Sequence, residues 1–263
     1  RRSREAVIVA TWNVASLKAR MPRVEQWLQD VQPDVLCLQE TKMTDEKFPA
    51  MAFAAMGYEG AHFGQGQWNG VAILSRVGLT DAAVNFESKG EPDKEARIVS
   101  AICGGIRIAS VYVPNGREVD HDHYNYKLWW LGRLVDTVGS YGQDVPTIIA
   151  GDFNIAPEDR DVWDIKDFEG ATHVSPRERA ALDKVKAAGL SDVFRELHPD
   201  EDKLYTFWDF RGGDFHKGRG MRIDYLLCSP DVAKRVDMAV VDRNARKGES
   251  PSDHAPVLIH LND

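Results

Sequence analysis

The sequence predicts an α/β fold in which two β-sheets pack together with helices flanking them, and three observations carry that expectation. Apolar, β-like runs come in adjacent pairs, GYEGAHF with GVAILSR and RIVSAICGG with RIASVYVPNG. Segments of helical period stand between and outside those pairs, as expected of layers that must each bury one face. One strand in each half ends in an aromatic–Asn pair, Trp12-Asn13 and Phe153-Asn154, a weak internal echo. Duplicated halves would bring those two strand ends together at one edge of the sandwich. The chain has 263 residues, 43% of them hydrophobic, enough for a sizeable core in a single catalytic domain over 1–263.

Each element follows from local pattern. Residues 6–12 (AVIVATW) and 34–39 (DVLCLQ) are short apolar runs that read as buried strands. Between them Val24, Trp27, Leu28 and Val31 recur at helical spacing, and Pro33 ends the helix. A second helix is expected over 45–56, then strands over 57–63 and 70–76. The hairpin over 97–116 turns at Gly104-Gly105, because a two-residue turn of this kind wants positive φ at both central positions. A long helix over 124–138 leads to the strand PTIIAGDFN. The second half holds a helix over 176–188, the aromatic run Leu204–Phe210, a Gly-rich loop, and the strands RIDYLLCS, MAVVD and APVLIHL.

Composition narrows the function. No stretch approaches the roughly 18 apolar residues of a membrane helix, so no membrane role is expected. The start, RRSREAVIVA, is basic but lacks a long apolar region and a small-residue cleavage site, so no signal peptide is read there. Cys37, Cys103 and Cys228 are far apart within apolar runs, which fits buried thiols in a reducing, cytoplasmic setting rather than a disulfide framework. The formal net charge of −8 gives little long-range attraction to a polyanion, so a nucleic-acid substrate would have to meet local basic patches.

Five short polar segments interrupt or follow the apolar runs: TWN (11–13), LQETK (38–42), GDFN (151–154), RIDY (222–225) and SDH (252–254). They supply Asn13, Glu40, Asp152, Asn154, Asp224, Asp253 and His254, with no nucleophilic serine or cysteine beside them. Carboxylates at strand mouths suit a hard divalent cation, which typically takes one or two of them plus substrate phosphate oxygens. Asp152 and Asn154, two residues apart, can hold and deprotonate an attacking water. An Asp beside His254 would fix its tautomer and raise its pKa, leaving the other nitrogen to donate to a phosphate. The set therefore points to metal-assisted phosphodiester hydrolysis. DHDH at 120–123 has the look of a metal cluster, but its loop setting favours an exposed turn.

These motifs, in this order from about residue 6 to 261, resemble the exonuclease III family of abasic-site endonucleases, within the endonuclease/exonuclease/phosphatase superfamily. The resemblance implies a four-layer α/β sandwich of two mixed sheets, dependence on Mg²⁺ with Mn²⁺ as a substitute, and cleavage of duplex DNA 5′ to an abasic site. It also implies 3′→5′ exonuclease action and trimming of blocked 3′ ends; a monomer suits an enzyme that must reach arbitrary duplex sites. On this resemblance Asn13, Glu40, Asp152, Asn154, Asp253 and His254 stand on the metal side. Tyr112 contacts the scissile phosphate or its leaving oxygen, Asp152 and Asn154 handle the water, and Asp224 orients His254. Lys42 and Asn115 match DNA-contacting positions. In YTFWDFR, Phe207 and Trp208 would wall a pocket for a flipped-out sugar, with Met221 and Ile223 completing it. Arg211, Lys217, Arg219 and Arg222, in the basic Gly-rich loop, would meet phosphates. Ala15 departs from the Asp or Asn that many relatives carry there, and Met221 from the aromatic of some.

Two other functions share part of this pattern. A phosphatase or phosphodiesterase acting on inositol phosphates, lipids or RNA would have the same Asn, Glu, GDFN and SDH set but no use for YTFWDFR and the basic loop. A catalytically silent DNA binder would not need intact catalytic positions.

Overall fold

A computed structural model describes residues 7–263; the basic start and Ala6, the first residue of the predicted opening strand, lie outside the described residues. Two six-stranded sheets result. The first has the order β11-β12-β1-β2-β4-β3, from β1 (Val7–Asn13), β2 (Val35–Gln39), β3 (Glu59–Phe63), β4 (Val71–Ser75), β11 (Val236–Val241) and β12 (Val257–Leu261). The second has the order β5-β6-β7-β8-β10-β9, from β5 (Thr80–Val84), β6 (Ile98–Cys103), β7 (Ile106–Tyr112), β8 (Thr147–Asp152), β9 (Ser191–Asp192) and β10 (Asp224–Cys228).

The two sheets repeat one plan. In the first, β1 pairs in parallel with β2 and antiparallel with β12. In the second, β8 pairs in parallel with β7 and antiparallel with β10. β1 and β8 are thus equivalent, and they are the strands that end in Trp12-Asn13 and lead to Phe153-Asn154. The main core lies between the sheets, where Val9, Cys37, Ile73 and Ile259 of one face meet Val99, Ile108, Ile148 and Leu226 of the other. Two further cores sit outside. One packs α1 (Leu17–Val31) on the first sheet through Val24, Trp27 and Leu28. The other packs α3 (Asp122–Tyr141) and α4 (Pro176–Ala187) on the second through Trp130, Leu134, Leu182 and Val185. Helix, sheet, sheet and helix make the four layers expected.

Local physics explains the agreements and the differences. Gly104 and Gly105 take φ of 56° and 81° between β6 and β7, as the predicted tight turn requires. Ser175 caps α4, accepting from the Glu178 N–H, with Pro176 at the first position. The expected helix over 45–56 is instead a 3₁₀ turn (Asp45–Lys47) and a short α2 (Ala50–Ala55), because Pro49 has no N–H to continue the ladder. Strand β5 and the short β9 followed by α5 (Val193–Leu197) were not expected; β5 is mostly exposed and carries no apolar alternation. The run Leu204–Phe210 forms no strand beyond isolated bridges at Phe207 to Met221 and His254. The Gly-rich segment contains a 3₁₀ turn (Arg211–Gly213) and a short helix, α6 (Asp214–Lys217), and α7 (Pro230–Ala233) follows β10. All three cysteines are buried, and burial pushes their thiols up.

Candidate active site

The equivalence of β1 and β8 brings their C-terminal ends together. Asn13 on β1 donates its amide N–H to Asp152 Oδ2 on β8 at 3.0 Å and to Glu40 Oε2 at 2.5 Å. Glu40 is there because β2 runs parallel to β1 and pairs Gln39 with Asn13, so the next residue emerges at the same rim. Parallel pairing of β7 with β8 sets Tyr112 opposite Asp152, and antiparallel pairing with β10 sets Asp224 opposite it on the other side. Gly151 allows this spacing, since a Cβ there would meet the Val111 carbonyl oxygen at 2.0 Å. His254 arrives on the loop before β12, and its Nδ1 lies 2.8 Å from Asp224 Oδ2.

Polar groups between the sheets fix the arrangement. Gln39 Nε2 donates to Thr11 Oγ1 at 3.0 Å and to Ser110 Oγ at 3.1 Å, tying the two sheets just beneath the site. Ser252 Oγ donates to the Asn13 carbonyl at 2.6 Å, and Thr206 Oγ donates to Asp224 Oδ2 at 2.7 Å. Asn154 takes φ of 51°, a left-handed turn in which its N–H caps Asp152 Oδ1 at 3.0 Å. Its side-chain amide donates to the Val113 carbonyl at 2.8 Å, and its own carbonyl is gripped by Lys127 Nζ at 2.6 Å and His173 Nδ1 at 2.6 Å. Lys127 is ion-paired with Glu178, and both side chains are fully buried. Burial first, then the Lys127 ammonium, pushes the His173 imidazole down to about 4, so the ring is neutral and donates from Nδ1.

Charge is concentrated at this rim. Burial, then the nearby Asp224 and Glu40 carboxylates, push the Asp152 carboxyl up to about 8. Burial alone would lower the His254 imidazole, but Asp224 and Asp152 outweigh it and hold the pKa at about 10. His254 Nε2 lies 3.6 Å from Asp152 Oδ2 and 3.9 Å from Asp253 Oδ1. Burial and the Glu40 charge push the Tyr112 hydroxyl well above its ordinary range, so it stays protonated as a donor, with the Arg97 guanidinium 4.8 Å above its ring.

A divalent cation fits this donor set. Glu40, Asp152 and His254 each offer one donor atom within 4.8 Å of the others, and the crowding of negative charge there is part of what pushes the Asp152 carboxyl up. Glu40 and Asp152 are the hard oxygen ligands such an ion takes. His254 as an imidazolium has no lone pair to give a cation, and its Nε2 is left as a hydrogen-bond donor facing the site. Asn13 turns its nitrogen toward the Glu40 and Asp152 carboxylates, while its oxygen accepts from the Ala15 N–H at 3.0 Å. Asp253 stands at the edge, its side chain partly exposed.

The model of the Endonuclease/Exonuclease/phosphatase family matches residues 10–254. The chain belongs to that family. Within the family it is of the exonuclease III type: it is 32% identical over 260 residues to the exodeoxyribonuclease III of Haemophilus influenzae, covering 94% of this chain and 97% of that one. The fold matches an AP endonuclease from Archaeoglobus fulgidus with TM-score 0.93 and 35% identity, covering 98% of this chain and 100% of that chain. It matches the 3′ phosphatase NExo from Neisseria, in complex with a product DNA hairpin, with TM-score 0.94 and 36% identity over the same shares.

Around the centre, the family-derived DNA contacts separate into exposed and buried groups. Lys42 is half-buried and 3.6 Å from Glu40, and Asn115 is exposed. Arg211, Lys217 and Arg219 are exposed on the basic loop. Phe207 is half-buried, its ring 4.9 Å from that of His254. Trp208, by contrast, is 1% exposed beneath Phe215 and the Arg243 guanidinium, so it is core and not a pocket wall. Arg222 is equally buried, saturated by Asp161 at 2.9 Å and Asp192 at 2.8 Å, and has no donor free for a phosphate. Met221 and Ile223 pack with Val162 and Phe168 behind Phe207, supporting it from within. The DHDH run is the exposed start of α3, where His121 accepts from the His123 N–H. The sequence carried no signal for Gln39, Lys127, Glu178 and His173, whose partners lie far along the chain.

Proposed function

We propose that this chain is a metal-dependent DNA repair nuclease that hydrolyses the phosphodiester 5′ to abasic sites and also removes nucleotides and blocking groups from 3′ ends of duplex DNA. The observation that carries this is the meeting of Glu40, Asp152 and His254 at one rim, in a chain whose relatives include an exodeoxyribonuclease III and an AP endonuclease of matching fold. The ion is Mg²⁺, with Mn²⁺ able to replace it; bound at Glu40 and Asp152, it supplies charge neutralisation of the phosphate and the leaving 3′ oxygen.

The side chains divide the work by charge. Asp152 holds a proton acceptor facing the site, with its other oxygen fixed by the Asn154 N–H, and takes the proton from the attacking water. Asn154 sets the angle of that carboxylate. His254, cationic because Asp224 faces its Nδ1, aims Nε2 at the phosphate oxygens. Tyr112 adds a neutral hydroxyl donor. These groups are already held in place before reaction, and removing one such preorganised donor typically costs about 10²–10³ in rate. Phe207 lies beside His254 where a flipped-out sugar would stack, and Arg211, Lys217 and Arg219 offset the acidic surface locally. No helix among the described residues is long and apolar enough to cross a membrane. A monomer in a reducing cytoplasm suits an enzyme that must reach arbitrary duplex sites.

A competition assay tests the substrate class. With Mg²⁺ present, an abasic duplex and an inositol polyphosphate are offered together. Nicking of the duplex with no phosphate release from the inositol supports the proposal; the reverse preference sinks it.

A further inference from the structure

We propose that Thr41, His62 and Asp45 form a positioning relay that holds the Glu40 loop in its cation-binding shape. The proposal rests on Glu40 being a ligand. Glu40 and Lys42 both take φ of 53°, a left-handed conformation that non-glycine residues adopt at a cost, so Thr41 is the pivot between two strained neighbours. The loop is tied down by backbone bonds from Ser16 N–H to the Glu40 carbonyl at 2.8 Å and from Lys42 N–H to the Asn69 carbonyl at 2.9 Å. The only side-chain anchor at the pivot among the described residues is Thr41 Oγ1, 2.8 Å from His62 Nε2 on β3.

The tautomer follows from the partners. Asp45 Oδ1, 2.8 Å from His62 Nδ1, is a carboxylate that can only accept, so Nδ1 carries the hydrogen. Burial lowers the His62 pKa, with Asp45 opposing, which leaves Nε2 as a neutral acceptor for the Thr41 hydroxyl. The imidazole is also stacked on Phe48, with ring centres 4.5 Å apart and planes 7° apart, and the same Asp45 oxygen accepts from the Gly64 N–H at 2.9 Å. One exposed carboxylate thus aligns a buried ring, and the ring fixes the hydroxyl behind a ligand. A threonine, histidine and aspartate in this order could suggest a nucleophilic triad. Thr41 is fully buried, however, and packs so closely on Gly70 that a Cβ there would meet its oxygen at 2.1 Å. No substrate atom can approach it, so its role is to position Glu40.

Mn²⁺ binding to the metal-free protein, measured by the loss of the free-ion electron paramagnetic resonance signal, tests this alongside thermal melting. Thr41→Val removes the hydroxyl at constant shape, Thr41→Ser keeps it, and Asp45→Ala removes the exposed end of the relay without touching the interior. Thr41→Val and Asp45→Ala are expected to weaken Mn²⁺ binding, Thr41→Val by about 10–100-fold, the usual effect of losing a group that orients a ligand. Thr41→Ser should bind nearly as the parent does. If Glu40→Gln loses Mn²⁺ affinity while Thr41→Val and Asp45→Ala keep it, the relay is refuted and the Glu40 assignment stands. Unchanged binding in Glu40→Gln overturns both.

Discussion

Asn13 Nδ2, on the first sheet, lies 3.0 Å from Asp152 Oδ2, on the second. This one hydrogen bond joins the two equivalent strand ends of the duplicated plan, and it places the amide between two carboxylates that would otherwise repel. Asn13→Asp would replace the donor with a third carboxylate at the same distances. The expected result is a further rise in the Asp152 pKa and a loss of about 10²-fold in kcat, the scale of an ångström-level misplacement. Single-turnover cleavage of an abasic duplex checks it, and near-parental rates would show that the amide is dispensable.

The pH profile should have two limbs. Asp152, pushed up to about 8 by burial and its carboxylate neighbours, must be ionised to take a proton, so rate rises with pH up to about 8. His254, held at about 10, must stay charged, so rate falls above about 10. A cation beside Asp152 favours its ionised form, so the acid limb should shift to lower pH as Mg²⁺ is raised; it also offsets the Asp152 charge that helps to hold the His254 imidazolium, so the alkaline limb should move down as well, with Asp224 still supporting it. An acid limb that ignores Mg²⁺ would count against Asp152 as both base and ligand.

Asp224→Asn isolates the second partner of His254. It removes the larger of the two charges that hold the imidazolium, so the His254 pKa should drop by about one to three units. The ring resonances of His254, followed by NMR across pH, report this directly, and the alkaline limb of the rate should move down with them. An unchanged titration would mean that Asp152 alone sustains the charge.

Arg222 and the exposed cations of the same Gly-rich segment should behave in opposite ways. Arg222→Ala leaves Asp161 and Asp192 buried without their cation and is expected to cost about 3–5 kcal/mol in urea unfolding. Lys217→Ala and Arg219→Ala should leave the unfolding curve in place and reduce the slope of log affinity against log salt by about 1 each.

Much of this molecule was legible because its determinants are local. The tight turn at Gly104-Gly105 follows from neighbours in the chain, and the polar groups that meet at the rim sit on or beside strand ends where short motifs announce them. The echo between Trp12-Asn13 and Phe153-Asn154 anticipated the equivalence of β1 and β8, because equivalent strands in duplicated sheets share ends. What was hidden depends on partners far away. Arg222 looked like a phosphate contact within a basic loop, but Asp161, 61 residues away, claims it. Trp208 sits in an aromatic run beside Phe207, and only tertiary packing sends one ring inward and leaves the other near His254. β5 lacks an apolar pattern because it is an exposed edge, and its existence rests on pairing with β6. Pro49 was visible in the sequence, yet the apolar residues on either side masked the break it makes.

A duplex carrying one central abasic site, labelled at its 5′ end and resolved on a denaturing gel, tests the convergence of Glu40, Asp152 and His254 most directly. With Mg²⁺ the parent enzyme should first yield a product ending just 5′ to the lesion, which its 3′→5′ exonuclease action then shortens. Chelator should abolish it, and Asp152→Asn should reduce the rate by at least about 10²–10³-fold. Cleavage that persists in chelator, or that survives Asp152→Asn at a near-parental rate, would contradict a rim at which Glu40 and Asp152 hold a cation beside His254.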